Sequence, residues 1–137
     1  MNDTELRELL VGVTTIAVVG ASTNAAKASN QVPRFLIDAG YTVIPVHPNA
    51  DEILGQTAYR TLAEIPAPVD IVDVFRPAAE APELARQAIA IGAGTLWLQL
   101  GVTSPEAKQI AEEAGLTYLE NICIGETTRR LGVHPRA

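Results

Sequence analysis

The chain has 137 residues, of which 47% are hydrophobic and 19% charged, and its formal net charge at pH 7 is -6. These values fit one globular domain, spanning residues 1–137, and exclude a disordered or collagen-like chain. The acidic balance argues against nucleic-acid binding, because nucleic acids carry negative phosphates. No apolar run approaches the roughly 20 residues of a membrane span, so we expect a cytoplasmic protein with no membrane partner.

The sequence contains few residues that could bind a metal. Cys123 is its only cysteine, which excludes an internal disulfide, and its two histidines, His47 and His134, stand far apart. A structural zinc site needs about four cysteine or histidine ligands. We therefore expect no bound metal.

Short apolar and β-branched segments predict five strands, at 15–19, 42–46, 69–75, 95–100 and 116–119. Helical patterns separate most of them. Alternating strands and helices, with strands that are almost continuously apolar, are typical of a parallel sheet covered on both faces. The sequence thus predicts an α/β fold, a three-layer Rossmann-like domain with a five-stranded parallel sheet of order 3-2-1-4-5.

Capping residues predict where the helices begin. Asn30 fits an N-cap, which would place Pro33 in the first helical turn, where a missing N–H costs no hydrogen bond. Pro82 and the Ser104-Pro105 pair open two further helices. The segment 51–65 shows no clear pattern.

Ligands of such sheets bind beyond the carboxyl ends of the strands, so the residues that follow each strand are the candidates. After the first strand, Gly20 allows a tight turn, and the next helix would point free N–H groups at a phosphate. Ser22 and Thr23 offer hydroxyl groups, and Lys27 offers a positive charge. The full G-x-G-x-x-G and P-loop patterns are absent, and a purely structural turn is the alternative.

The second, third and fourth strands end in residues of other types. His47 stands where an NAD-binding domain usually carries an acid, and it either contacts an adenosine or forms local hydrogen bonds. Phe75 and Arg76 suit a nucleotide through stacking and charge, or are a core aromatic beside a solvated arginine. Gln99 is polar within an apolar segment and needs a partner or a ligand.

Two acids bracket the third strand, Asp70 and Asp73. A phospho-acceptor site would need further acids after the first strand to hold magnesium, and 20–22 (GAS) supplies none. We therefore interpret both as capping groups.

Four segments in order carry a family pattern: 16–24 (IAVVGASTN), 41–49 (YTVIPVHPN), 69–77 (VDIVDVFRP) and 96–102 (LWLQLGV). Together they resemble the small CoA-binding domain proteins. These are stand-alone, Rossmann-like relatives of the CoA-binding domain of the succinyl-CoA synthetase alpha subunit. The resemblance covers roughly residues 3–131.

The resemblance implies coenzyme A or an acyl-CoA as the ligand. It implies a pyrophosphate at the turn after the first strand, an adenosine flanked by the ends of the second and third strands, and a pantetheine arm near the end of the fourth. The implied ligand-binding residues are Gly20, Ala21, Ser22, Thr23, Asn24, Lys27, Val46, His47, Pro48, Asn49, Phe75, Arg76, Gln99 and Cys123.

This chain departs from the family pattern at two places. Relatives usually carry Asn at the position of His47. They often end in D-R-C-x-x-x-E-H-x-R-L, of which this chain keeps Cys123, Arg130 and Leu131 and replaces the other four defined residues.

The sequence shows no set of nucleophile, base and acid, and Cys123 has no histidine within its motif. We therefore expect CoA binding without catalysis. The alternatives are an NAD(P)-dependent oxidoreductase and a protein-interaction module with a relict nucleotide pocket. Cys123 is either a small buried apolar residue or lies near the CoA thiol, where a mixed disulfide is chemically reasonable.

Overall fold

The computed structural model describes residues 1–136, which form seven strands and five α-helices. The strands are β1 (Thr15–Val19), β2 (Thr42–Val46), β3 (Glu52–Ile53), β4 (Gln56–Thr57), β5 (Ile71–Val74), β6 (Thr95–Leu98) and β7 (Thr117–Leu119). The helices are α1 (Asp3–Gly12), α2 (Ala28–Asp38), α3 (Ala81–Ala90), α4 (Pro105–Glu113) and α5 (Ile124–Leu131). Two short 3-10 turns lie at Leu62–Glu64 and Ala78–Glu80.

Five of the strands form one parallel sheet of order β2-β1-β5-β6-β7, and β3 and β4 form a separate antiparallel hairpin. This confirms the Rossmann-like α/β fold with five parallel strands. Helices α1, α2 and α5 pack on one face of the sheet, and α3 and α4 pack on the other. Trp97 of β6 is fully buried in the first of these cores, so it packs rather than stacking on a ligand.

The expected strand order was wrong in one respect. Counting the long strands alone, the order is 2-1-3-4-5, because β5 pairs with β1 rather than with the outer edge of β2. Two contacts explain this arrangement. The side chain of Asp70, just before β5, accepts hydrogen bonds from the N–H groups of Thr14 and Thr15 at 2.9 Å each. The outer edge of β2 is occupied by a parallel bridge between Val46 and Tyr59.

The segment between β2 and β5 crosses the sheet without an α-helix. It contains the β3–β4 hairpin, the bridge at Tyr59 and the first 3-10 turn. Leu62 of that turn is buried in the core beneath α3. This segment, which showed no clear pattern in the sequence, thereby forms a wall beside the carboxyl end of β2.

Helix α2 begins earlier than the sequence predicted. Lys27 is its N-cap and gives no side-chain hydrogen bond, so the expected cap at Asn30 was wrong. Asn30 is buried, donates to the carbonyl of Ser22 at 2.8 Å, and accepts from Arg34 at 2.7 Å. Its side chain therefore ties the helix to the preceding loop instead of capping it.

Within the part of the chain that the structure describes, no helix is both long and apolar enough to cross a membrane. Within 1–136, no three His, Cys, Asp or Glu residues are grouped so that they could hold a metal ion.

Candidate functional site

Two cavities open at the carboxyl edge of the sheet, where the strand order reverses between β1 and β5. This switch point is the usual ligand site of open α/β sheets. The first cavity, here called the His47 cavity, has a volume of about 290 Å³, and its lining includes Gly20, Val46, His47, Pro48, Arg60 and Arg76. The second, the Cys123 cavity, has a volume of about 460 Å³, and its lining includes Ala28, Phe75, Arg76, Gln99, Leu100 and Cys123.

The structure brings eight of the fourteen candidate residues to these cavities. Five of them line the His47 cavity and four line the Cys123 cavity. Arg76 lines both cavities and is counted once in the total of eight. The remaining six lie outside both linings: Ala21, Ser22, Thr23, Asn24, Lys27 and Asn49. Five of these six lie in the loop between β1 and α2.

Gly20 is required by the protein itself. Its φ is +87°, and a Cβ there would lie 2.7 Å from the carbonyl oxygen of Phe75 and 2.9 Å from Cδ of Arg76. Its N–H donates to the carbonyl of Val46 at 3.1 Å. The glycine therefore joins the ends of β1, β2 and β5. The close packing and the positive φ are reason enough for a glycine here, as the alternative of a purely structural turn predicts.

The loop after Gly20 is fixed by a proline inside helix α2. Pro33 has no N–H to donate to the carbonyl of Ser29, four residues earlier. The N–H of Ser22 donates to that carbonyl instead, at 3.1 Å. The Ser22 hydroxyl then accepts from the N–H of Asn24 at 3.0 Å. The loop is thus bonded to the first turn of α2, where no side chain caps the N–H groups next to Ala28.

His47 forms local hydrogen bonds, which was one of the two roles expected for it beside contact with an adenosine. Its Nδ1 accepts from the backbone N–H groups of Asn49 at 3.0 Å and Ala50 at 2.9 Å. A ring nitrogen that accepts two hydrogen bonds carries no proton, so the proton of the neutral ring is on Nε2. The ring therefore offers one N–H donor while its other nitrogen holds the loop.

Arg76 separates the two cavities and is paired. Its Nε and one terminal nitrogen donate to the carboxylate of Glu80, the closest contact being 2.7 Å. The hydrogen bond lowers the pKa of Glu80 and raises that of Arg76. Both side chains are about half exposed. The guanidinium is therefore held in place by an acid yet remains open to an anion.

Gln99 and Cys123 lie together at the Cys123 cavity. Gln99 follows β6 directly, is buried, and accepts the N–H of Ile124 at 3.0 Å through Oε1. A backbone N–H can only donate, which fixes the amide oxygen on that side. Cys123 is a half-buried free thiol whose Sγ accepts the N–H of Glu126 at 3.5 Å.

Asp73 lies beneath this cavity in the middle of the sheet. Asp73 is on β5, two residues before Phe75, and it pairs in register with Val18 of β1 and Trp97 of β6. The side chain is fully buried, and neither carboxyl oxygen has a hydrogen-bond partner among residues 1–136. Burial raises the pKa of Asp73 well above its usual range. The capping interpretation was therefore right for Asp70 and wrong for Asp73.

Sequence reasoning missed several residues of the His47 cavity. Arg60 and Thr61 were missed because they follow the bridge at Tyr59, which no local pattern in the segment 51–65 reveals. Glu80 had a legible signal, since it stands four residues after Arg76, the spacing of helical ion pairs. Leu62 of the first 3-10 turn and Leu84 and Gln87 of α3 also line the cavity and are absent from the predicted site.

The chain is similar in sequence and in fold to several known proteins. The profile of the family described as CoA binding domain matches residues 14–128. The uncharacterized protein YneT of Bacillus subtilis is 40% identical over 120 residues, which cover 88% of this chain and 89% of YneT. A solved hypothetical protein from Pyrococcus horikoshii is 35% identical, with a TM-score of 0.94 and coverage of 97% and 94% of the two chains.

A longer relative shares only part of its length with this chain. The ADP-forming acetate–CoA ligase I of Archaeoglobus fulgidus is 29% identical over 122 residues. These cover 80% of this chain and 18% of the ligase.

Proposed function

The chain belongs to the CoA binding domain family, and from that premise we propose that it binds coenzyme A or an acyl-CoA at the carboxyl edge of its sheet and catalyses no reaction of its own. The observation that carries the proposal is the pair of cavities that meet at Arg76, at the switch point of the sheet.

The two cavities differ in the way that the two halves of coenzyme A differ. Charged residues line the His47 cavity, among them Arg60, Arg76 and Glu80, which suits a phosphorylated adenosine. The Cys123 cavity is lined mainly by apolar side chains, with the amide of Gln99 among them. That suits the thin pantetheine arm, which is aliphatic but carries two amide groups. The pyrophosphate would lie between them, at Arg76 and the uncapped start of α2.

Binding without catalysis is supported by the surroundings of the reactive side chains. Cys123 accepts only a backbone N–H, and no histidine contacts it among the described residues. Nδ1 of His47 is engaged by two backbone N–H groups, and His134 bonds to the carbonyl of Pro135. A base within hydrogen-bond reach is a common way to activate a thiol nucleophile, and neither imidazole hydrogen-bonds to Cys123 among the described residues.

Thermal melting of the purified, ligand-stripped protein with separate ligands tests the proposal. A ligand at 100 times its Kd adds about 2.7 kcal/mol to the free energy of unfolding. For a domain of this size that raises Tm by roughly 8–12 °C. We expect this shift with CoA and acetyl-CoA and not with NAD. A shift with NAD or NADP alone would favour an oxidoreductase, and no shift with any nucleotide would favour a protein-interaction module.

A further inference from the structure

The His47 cavity holds a second arginine, and we propose that Arg60 recognises the 3′-phosphate of coenzyme A. This inference rests on the proposed CoA binding and adds the residue that sets ligand specificity. The adenosine of CoA carries two anionic groups, a 5′-diphosphate and a 3′-phosphate. Dephospho-CoA and NAD lack the second. A separate cation for the 3′-phosphate therefore distinguishes CoA from both.

Arg60 and Arg76 stand on opposite sides of the end of β1. In the sheet, β2 and β5 flank β1. The inner edge of Val46 pairs with β1, so its bridge to Tyr59 places that residue beyond the outer edge of β2. Neighbouring strands are about 4.8 Å apart, so three strand spacings, about 14 Å, separate the two backbone segments. One cation is thus available for each anionic group.

The guanidinium of Arg60 is held by the loop that follows β2. One terminal nitrogen donates to the carbonyl of Ala50 at 2.5 Å, and the other donates to Asp51 at 2.7 Å. His47 fixes the same loop, because its Nδ1 accepts the N–H of Ala50. The Asp51 side chain is 94% exposed, so water screens its charge. A phosphate dianion can therefore compete with Asp51 for the guanidinium.

The other groups on this wall also favour an anion. His47 offers its Nε2–H, and Thr61 offers a hydroxyl. Glu80 is the one carboxylate among the described lining residues, and it is bonded to Arg76 on the opposite wall. The wall that carries Arg60 therefore presents one guanidinium and several donors to the cavity, while the carboxylates of Asp51 and Glu64, which bond to Arg60, lie outside the described lining.

Calorimetric titration with CoA and with dephospho-CoA tests this role, because the two ligands differ only in the 3′-phosphate. We expect wild-type protein to bind CoA about 10- to 100-fold more tightly, the range for a charge-assisted hydrogen bond. Arg60→Gln should lose most of this preference and bind dephospho-CoA as wild type does. Arg86→Gln is the matched control, because Arg86 is exposed, pairs with acids and lies outside both cavities.

The outcomes separate this inference from the proposed function. A wild-type preference near one, or equal weakening of both ligands by Arg60→Gln, would contradict the role of Arg60 and leave CoA binding intact. Failure of wild-type protein to bind either ligand would contradict the proposed function itself. Arg60→Met keeps the aliphatic stem and replaces Arg60→Gln if that variant does not fold, with the same expected and contrary results.

Discussion

The His47 cavity and the Cys123 cavity share an edge of the sheet but are built on different principles. In the first, the imidazole and the two guanidinium groups are already bonded within the protein: His47 to its own loop, Arg60 to Ala50 and Asp51, and Arg76 to Glu80. In the second, the lining is mostly apolar. We infer from this difference that the proposed ligand is selected at one end by fixed charge and at the other by shape and burial.

The two cavities also depend on different parts of the chain. The His47 cavity needs the crossover between β2 and β5, which contributes Arg60, Thr61 and Leu62. The Cys123 cavity is built from the ends of β5 and β6 and the starts of α2 and α5. Both meet at the junction of Gly20 with Phe75 and Arg76. Substitutions can therefore disturb the junction, one cavity or the other.

The largest effect is expected at that junction. Gly20→Ala should lower the free energy of unfolding by roughly 2–5 kcal/mol. The alanine would have to adopt an unfavourable positive φ, and its Cβ would clash with the carbonyl oxygen of Phe75. Gly55→Ala is the matched control, since Gly55 has a φ of +76° and open space around it. It should cost only about 1 kcal/mol. Urea unfolding measures both values, and equal losses in the two variants would show that the close contact is not restrictive.

The next effect concerns the buried carboxyl group of Asp73, beneath the Cys123 cavity. The pKa of buried Asp73 is raised in the folded protein, whereas an unfolded Asp titrates near 3.8. Between these two pKa values the unfolded chain loses a proton that the folded chain keeps. Stability therefore falls as pH rises above about 4, by about 1.4 kcal/mol per pH unit, until the folded pKa is reached.

Asp73→Asn removes this titration while keeping the shape of the side chain. We expect the variant to lose less stability than wild type between pH 5 and pH 7, as measured by urea unfolding at each pH. Asp70→Asn is not a suitable control, because Asp70 holds the N–H groups of Thr14 and Thr15. Exposed Asp51→Asn serves instead. Parallel pH profiles for wild type and Asp73→Asn would mean that Asp73 is charged in the fold.

Removing charge from the boundary of the two cavities should weaken binding in a salt-dependent way. Arg76→Gln should reduce CoA affinity about 10-fold, because a charged hydrogen bond to phosphate is lost. Glu80→Gln should raise affinity roughly 2- to 5-fold, because it frees the guanidinium of Arg76. Calorimetry at low and high salt checks both. A loss in Arg76→Gln that does not shrink with salt would argue against a phosphate contact.

The smallest effect is expected in the apolar cavity. Cys123→Ser keeps a side chain that can accept the N–H of Glu126 and should change CoA affinity less than about 3-fold, at any salt concentration. The same titrations measure this. A loss of 10-fold or more would mean that the thiol itself holds the ligand, which would remove the contrast between a charged cavity and an apolar one.

The sequence predicts the local features of both the fold and the site and misses those that depend on distant contacts. Apolar periodicity locates all five long strands, because burial in a parallel sheet demands continuous apolar runs. It does not give the strand order, which depends on the distant contact between Asp70 and Thr14 and on the bridge at Tyr59. Strand pairing at long range leaves no local periodicity to read.

The site likewise contains residues that local sequence predicts and residues that only long-range pairing brings in. The rule that ligands bind beyond the carboxyl ends of strands leads to Gly20, His47, Arg76 and Gln99, each of which lines a cavity. It misses Arg60, which reaches the cavity only because the crossover folds back along β2. Side chains brought in by tertiary pairing thus need coordinates, whereas residues that end a strand do not.

Mapping backbone amide NMR shifts during a titration with CoA reports in one experiment whether the protein binds CoA and where the ligand lies. We expect the largest shifts at the loop after β1, at 47–49, at 60–61, at 75–77 and at 99–102 with Cys123. Shifts concentrated elsewhere, such as on the outer face of α2 around Gln31 and Arg34, or no shifts with CoA at all, would contradict a CoA site at the carboxyl edge of the sheet.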